Sequence, residues 1–213
     1  SGSVAIQEAI LKAREHGISA VGVKSSTHFG AAAFFAHQAS KENMIGFSFT
    51  NADALVKAFN STEAFFGTNP ICLTAPLADE DPLCLDMATS LVSWNKIKNY
   101  RNSGDDVPSL WAFDGNGESV TNPHDARSLA PIGDYKGFGL GMMVDILCAG
   151  LTSSNYSKDL LPMFTSDIKA KRYISHFFMV IDISKFLDVE VFKKNLQSIV
   201  NRIRELNEAR RES

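Results

Sequence analysis

Helix-like and strand-like segments alternate from the start of this chain, and that alternation limits what it can fold into. Val4, Ile6, Ala9, Ile10 and Ala13 recur at a helical period that stops at Gly17. A strand-like run at 20–23 follows, then a polar turn, then a helical run at 31–41. Met44-Ile45-Gly46-Phe47-Ser48-Phe49-Thr50 has the alternation of a strand. Two apolar runs, 71–77 and 83–87, flank Ala-Asp-Glu-Asp-Pro and predict a hairpin. The pattern specifies a mixed α/β (α+β) fold, read as one domain over residues 1–213.

The second half continues the pattern less regularly. A helix is expected over 90–101, ending near Gly104, with Thr89 or Ser90 as its N-cap. Gly115-Asn116-Gly117 lies between 110–114 and 118–121 and predicts a second hairpin, with Asn-Gly supplying positive φ angles. Residues 136–151 form a glycine-led apolar helix, 152–171 a polar and mobile loop, and 174–183 a buried strand. The last segment, 184–213, is an amphipathic helix with Ser184 as a loose N-cap candidate. Its face of Val189, Phe192, Leu196, Ile199, Val200, Ile203 and Leu206 can serve a core or an interface, and the core is expected.

Composition narrows the function. With 213 residues, 45% of them hydrophobic, the chain can build a substantial core. A net charge of -3 gives no reason to expect a nucleic-acid partner. No apolar run approaches the roughly 18 residues of a membrane span, so no membrane partner is expected, and no signal peptide is recognised. Cys72, Cys84 and Cys148 are odd in number and scattered, which reads as free thiols in a reducing, cytoplasmic setting. His16, His37, His124 and His176 show no metal-ligand spacing, so no metal is expected.

Four segments concentrate polar groups, glycine and proline between apolar elements, where loops carry chemistry. In Ser25-Ser26-Thr27-His28-Phe29-Gly30-Ala31, His28 is either a general acid–base or a turn residue bonded to backbone. In Gly67-Thr68-Asn69-Pro70, the hydroxyl and amide can meet a ligand or hold the turn. In Asp86-Met87-Ala88-Thr89-Ser90, Asp86 can accept a ribose hydroxyl, or the segment can simply cap a helix. The glycines of Gly133-Asp134-Tyr135-Lys136-Gly137-Phe138-Gly139-Leu140-Gly141 allow close approach to a phosphate beside Lys136, or tight helix packing. Neither G-x-G-x-x-G nor G-x-x-x-x-G-K-[ST] occurs, which excludes a Rossmann fingerprint and a P-loop.

In order, S-x-x-H-F-G-A, F-G-T-N-P, L-D-M-A-T-S and Y-K-G-F-G-L-G-M-M-V-D resemble the malate/L-lactate dehydrogenase family of non-Rossmann NAD(P)-dependent oxidoreductases, over about residues 10–206. The resemblance implies a cofactor domain with a largely antiparallel mixed sheet flanked by helices, NAD or NADP as cofactor, and a homodimer whose active sites use both subunits. It implies a small 2-hydroxy or 2-oxo acid, or a related imine, as substrate. It makes His28 the proton-transferring group and places Asn51 and Ala52 on the cofactor after the second strand. Thr68, Asn69 and Pro70 correspond to the cleft near the nicotinamide; Asp86, Met87 and Ala88 to a cofactor-binding strip; Lys136 and Gly137 to the dinucleotide contact. The family's S-H-G-x-x-R motif does not occur in the chain, and neither does its Pro/Gly-rich tail, so a truncated form is expected. Arg101 and Arg172 are candidate substitutes for the motif's arginine, and Lys57 and Lys98 for binding a 2′-phosphate.

Overall fold

The computed structural model of the chain describes residues 2–163, 167 and 169–209, without the side chains of 207–209. Its elements in order are α1 (Gly2–His16), β1 (Ile18–Ser26), α2 (Ala32–Lys41), β2 (Met44–Thr50), β3 (Val56–Lys57), β4 (Ala64–Phe66), β5 (Ile71–Ala75) and β6 (Leu83–Met87). Then come α3 (Trp94–Ser103), β7 (Ala112–Phe113), β8 (Ser119–Val120), β9 (Ser128–Leu129), α4 (Tyr135–Asp145), β10 (Ile174–Asp182) and α5 (Val189–Ala209).

Two five-stranded sheets result. The first has the order β1-β10-β2-β5-β6 and is antiparallel throughout. The second, β4-β3-β9-β7-β8, contains one parallel pair, β3 with β9. β10 enters between β1 and β2, which pair both its edges, and helices cover both its faces. Phe178 and Val180 pack with Ile6, Ile10 and Phe35 of α1 and α2, while Phe177 packs with Val144 and Cys148 on the other side. A strand buried on both faces reads as an apolar run rather than an alternating one, which is why 174–183 was legible. α4 continues as a π-helical turn, Ile146–Gly150, against this second face.

Several local expectations are corrected. α3 begins at Trp94, not 90, because Ser93 is the cap: its Oγ accepts from the Lys96 amide at 3.1 Å. Residues 90 and 91 are instead held against the second sheet, where the Leu91 amide donates to the Ala130 carbonyl at 2.8 Å. In the β7–β8 hairpin only Gly117 of the three turn residues has positive φ, +80°. The Asp114 carboxylate closes that turn, accepting from the amides of Asn116 (2.8 Å) and Glu118 (3.0 Å). A side-chain acceptor replaces the Asn-Gly geometry.

The C-terminal helix starts at Val189, capped by Asp188, whose Oδ1 accepts from the Val191 amide at 3.0 Å. Ser184 belongs to the preceding 3-10 turn, and residues 210–213 lie outside the described residues. The apolar face of α5 is not core: Ile199 is 53%, Ile203 54% and Leu206 73% exposed. Glu80 anchors the helix from the β5–β6 connection, accepting from Arg204 Nη1 and Nη2 at 2.6 and 2.7 Å and from Gln197 Nε2 at 2.6 Å.

The loop expected over 152–171 is built in at its start: Ser157 is fully buried, and Thr152 Oγ1 donates to the Cys148 carbonyl at 2.7 Å. Residues 164–166 and 168 of that segment lie outside the described residues. Among the described residues no helix is long and apolar enough to cross a membrane, and no group of three or more His, Cys, Asp or Glu could hold a metal ion.

Candidate active site

A cleft of about 230 Å³ opens where the ends of β1, β2 and β6 converge beside α3. Its walls include His28, Phe29 and Gly30 from the first turn, and Thr50, Asn51, Ala52, Asp53 and Leu55 from the end of β2. Thr68, Pro70 and Ala88 form a third side, and Ser93, Trp94 and Asn95 a fourth. Of the residues singled out from the sequence, the cleft thus collects His28, Asn51, Ala52, Thr68, Pro70 and Ala88.

The His28 side chain is exposed, and its Nδ1 accepts from the Gly30 amide at 3.1 Å. That bond leaves the proton of the neutral ring on Nε2, which in this tautomer faces a ligand as a donor and has no lone pair to accept with. The bond to backbone considered in the sequence reading therefore exists, and it orients the ring rather than occupying both nitrogens.

The remaining predicted residues stand elsewhere. Asn69 is fully buried behind the wall, with φ +27°. Its Oδ1 accepts from the Ala52 amide at 3.0 Å and its Nδ2 donates to the Gly141 carbonyl at 2.9 Å. Asp86 caps a helix, but a different one from that expected: its Oδ2 accepts from the Ala33 amide at 2.9 Å, at the start of α2, where Ala31 offers no side-chain cap. Met87 is half-buried on the edge strand β6.

Lys136 is exposed in the first turn of α4. It sits beside a second hollow of about 500 Å³, whose walls include Lys57, Phe59, Leu91, Pro131, Gly133 and Asp134. Asp134 at its rim holds φ +57°, ψ −119°, a strained conformation for a residue with a side chain. The strip after β6 joins the two hollows, with Ala88 lining the first and Leu91 the second.

Gly137 is a packing glycine. A Cβ there would lie 2.4 Å from the Ile132 carbonyl oxygen, 2.5 Å from the Ile132 nitrogen and 2.8 Å from the Thr89 carbonyl oxygen. Backbone on both sides cannot give way, so Gly137→Ala is expected to destabilise the fold by about 2 kcal/mol in urea denaturation. A Gly137→Ala protein of native stability that had lost cofactor affinity would instead assign the glycine to the ligand.

The candidate arginines are engaged elsewhere. Arg101 Nε donates to the Pro123 carbonyl at 2.7 Å, and Arg172 donates to the carbonyls of Leu161 and Met163 at 3.2 and 3.0 Å. Neither lines the His28 cleft. Lys57 Nζ stands 4.8 Å from the Phe113 ring centre, facing the second hollow, and Lys98 lies on α3.

Two features escaped sequence reasoning. Asp145, fully buried, accepts from the Ser157 amide at 2.9 Å and from its hydroxyl at 3.0 Å. Burial holds the Asp145 carboxyl above its ordinary value, although the Ser157 bonds pull the other way. Ser157 Oγ also lies 3.3 Å from Asn69 Oδ1, so a buried polar chain ties α4 to the cleft wall at Ala52. The second feature is His176, also fully buried, with its Nδ1 2.8 Å from Thr50 Oγ1. An isolated polar residue in an apolar run was the sequence signal for each.

The fold, an antiparallel five-stranded sheet beside a second, mixed one, lacks Rossmann topology. The chain belongs to the malate/L-lactate dehydrogenase family, which it matches over residues 1–213. It is 38% identical to a malate dehydrogenase of Pyrococcus abyssi, over 95% of this chain and 58% of that protein. It is 32% identical to a ureidoglycolate dehydrogenase (NAD(+)) of Escherichia coli O157:H7, over 97% of this chain and 58% of that protein. Among solved structures, malate dehydrogenase from Pyrococcus horikoshii OT3 superposes with a TM-score of 0.83 at 35% identity, covering 95% of this chain and 56% of the other. The chain thus spans about 58% of the length of the curated relatives it matches.

Proposed function

We propose that the protein is an NAD(P)-dependent oxidoreductase acting on a small 2-hydroxy or 2-oxo acid of the malate, lactate or ureidoglycolate type. The observation that carries this reading is His28, exposed in the cleft with its ring oriented through Nδ1, in a chain whose named relatives are dehydrogenases. A nicotinamide, when bound, supplies the hydride acceptor or donor.

The donor set fits such a group. The cleft of about 230 Å³ falls below the roughly 300–1,000 Å³ of whole small-molecule sites and suits only the reacting end of a dinucleotide. The strip at Ala88 leads from it to the hollow beside Lys136, whose ammonium suits a phosphate. Asn51, Ala52, Thr68, Pro70 and Ala88 would position the ring, with Asp86, Met87 and the buried Asn69 holding that wall together. Lys136 would bind the dinucleotide, and Gly137 would seat its helix. To take the hydroxyl proton at Nε2 in oxidation, His28 would first release the Gly30 bond and carry its own proton on Nδ1; the imidazolium so formed would return the Nε2 proton in reduction.

We also propose a cytoplasmic location and a homodimer, with residues 1–213 forming one α/β unit. The three free cysteines agree with a reducing compartment, as burial pushes the Cys72 and Cys148 thiols up and makes them inert. The apolar face of α4, with Met142 41%, Met143 52% and Ile146 44% exposed, supports a partner surface.

A second reading is a non-catalytic cofactor-binding or assembly fragment. It is favoured by the cleft wall, where no arginine or lysine stands among the described residues to anchor a substrate carboxylate. Titration with NADH and NADPH, followed by fluorescence, separates the two when paired with turnover assays on malate, lactate and ureidoglycolate. Binding with turnover is expected. Binding without turnover on any 2-hydroxy or 2-oxo acid supports the fragment, and no binding rejects both.

A further inference from the structure

We propose that His176 is a positioning residue that sets the spacing between the two walls of the cleft, the His28 turn and the Asn51–Ala52 segment. The proposal rests on the reading of His28 as the proton-transferring group. His176 sits on β10 with Thr50 of β2 as its register partner on one side and Val23 of β1 on the other. Immediately beyond Val23, β1 loses register, with Ser25 at φ +55°, and becomes the turn that carries His28. One imidazole therefore stands beneath the ends of both strands that deliver the cleft walls.

It touches both. Toward the first wall, its ring lies flat on Phe29, with centroids 4.5 Å apart and planes 10° from parallel. Phe35 stacks on the same ring at 4.8 Å, so Phe29, the residue next to His28, is held between two aromatic planes. Toward the second wall, Nδ1 lies 2.8 Å from Thr50 Oγ1. That hydroxyl also lies 3.0 Å from the Asn51 carbonyl oxygen and 3.2 Å from that of Ser175. A hydroxyl has one proton, and two carbonyls compete for it, so Nδ1–H is the donor to Thr50.

Nε2 then carries a lone pair with no hydrogen bond of good geometry among the described residues, although the Thr27 backbone lies close enough to the ring to favour its protonated form. A nitrogen without such a bond in a fully buried ring is costly and calls for a reason. Phenylalanine would keep the stack without that cost, and asparagine would keep a donor near Thr50. A histidine supplies the flat ring and the donor together. The stack holds the His28 turn and the hydrogen bond holds Thr50 and the start of the Asn51 segment, so a change at His176 moves one wall relative to the other. Displacement of about 1 Å between reacting groups can lower a rate about 10²-fold.

The test compares His176→Phe, which keeps the ring, with His176→Asn, which keeps a donor. Steady-state kinetics and nicotinamide fluorescence titration are run on the whole protein, and long-range ¹H–¹⁵N imidazole spectra report the His28 tautomer. In each variant kcat is expected to fall at least 10-fold while the NADH or NADPH Kd changes less than about threefold. His28 is expected to show the Nε2–H tautomer in the wild type and an averaged pattern in the variants. If either variant fails to fold, the other still decides. A folded variant with kcat within twofold of wild type and an unshifted His28 signal overturns the proposal, as does loss confined to cofactor affinity. His28→Ala run alongside keeps the two failures distinct. Full turnover in His28→Ala defeats the functional reading, whereas loss there with none in the His176 variants defeats only the positioning role.

Discussion

Replacing His28 with alanine is expected to lower turnover by about 10²- to 10⁴-fold, the range of a positioned acid–base group. Among the described residues of the cleft wall, no second histidine stands ready to carry a proton near neutral pH. Asp53 is buried and its Oδ2 accepts from the Met163 amide at 3.0 Å, while Thr50, Thr68 and Ser93 hydroxyls ionise far above that range. The loss should fall in kcat, because the ring's part is a proton that moves in the transition state. Cofactor affinity measured by fluorescence should change little. Stability should stay within about 0.5 kcal/mol, since His28 is exposed and its only described bond is the one received from the Gly30 amide. Turnover near that of wild type would remove His28 from the chemistry.

Acid is expected to unfold the protein from within its first sheet. Burial pushes the His176 imidazole down to about 4 from an ordinary value of 6.5, with a smaller push from the neighbouring His28 ring and an opposing pull from the Thr27 backbone. The folded state therefore binds a proton more weakly than the unfolded chain. The contribution is fully present above pH 6.5 and is lost as the pH falls through about 4. A shift of this size corresponds to roughly 3 kcal/mol. Asp145 has the opposite sign: its raised value gives stability present in acid and lost as the pH rises through that value. Urea denaturation from pH 7.5 to 4 on wild type and His176→Phe isolates the histidine. The wild type should lose stability steeply below pH 6.5, and His176→Phe should follow a flatter course. Parallel curves would show that the ring is not the acid-sensitive group.

Much of the fold was legible because its cues are local. The Met44–Thr50 alternation, the 71–87 hairpin and the 174–183 apolar run each match an observed strand or strand pair. Boundaries went wrong where two residues competed for one local task. Ser90 and Ser93 are both good caps, and the second sheet took Ser90 by bridging it to Pro131, leaving Ser93 to start α3. The α5 face went wrong for a different reason. Its period is helical, but periodicity does not say whether anything packs on the apolar side, and Ile203 and Leu206 remain exposed.

The candidate site divides the same way. The chain's own order of motifs determined its family, the choice of His28 and the segments that make the cleft, because turns, caps and close approaches are written in short stretches of residues. Tertiary structure decided which of those residues meet. It inserted β10 between β1 and β2, which brings His176 under Thr50 and Phe29 from more than a hundred residues away. It sent Asp86 to the start of α2 and placed Asn69, Ser157 and Asp145 in one buried chain. The physical reason is that a buried polar group must find its partner wherever the packed backbone presents one, and strand order, not sequence distance, sets where that is.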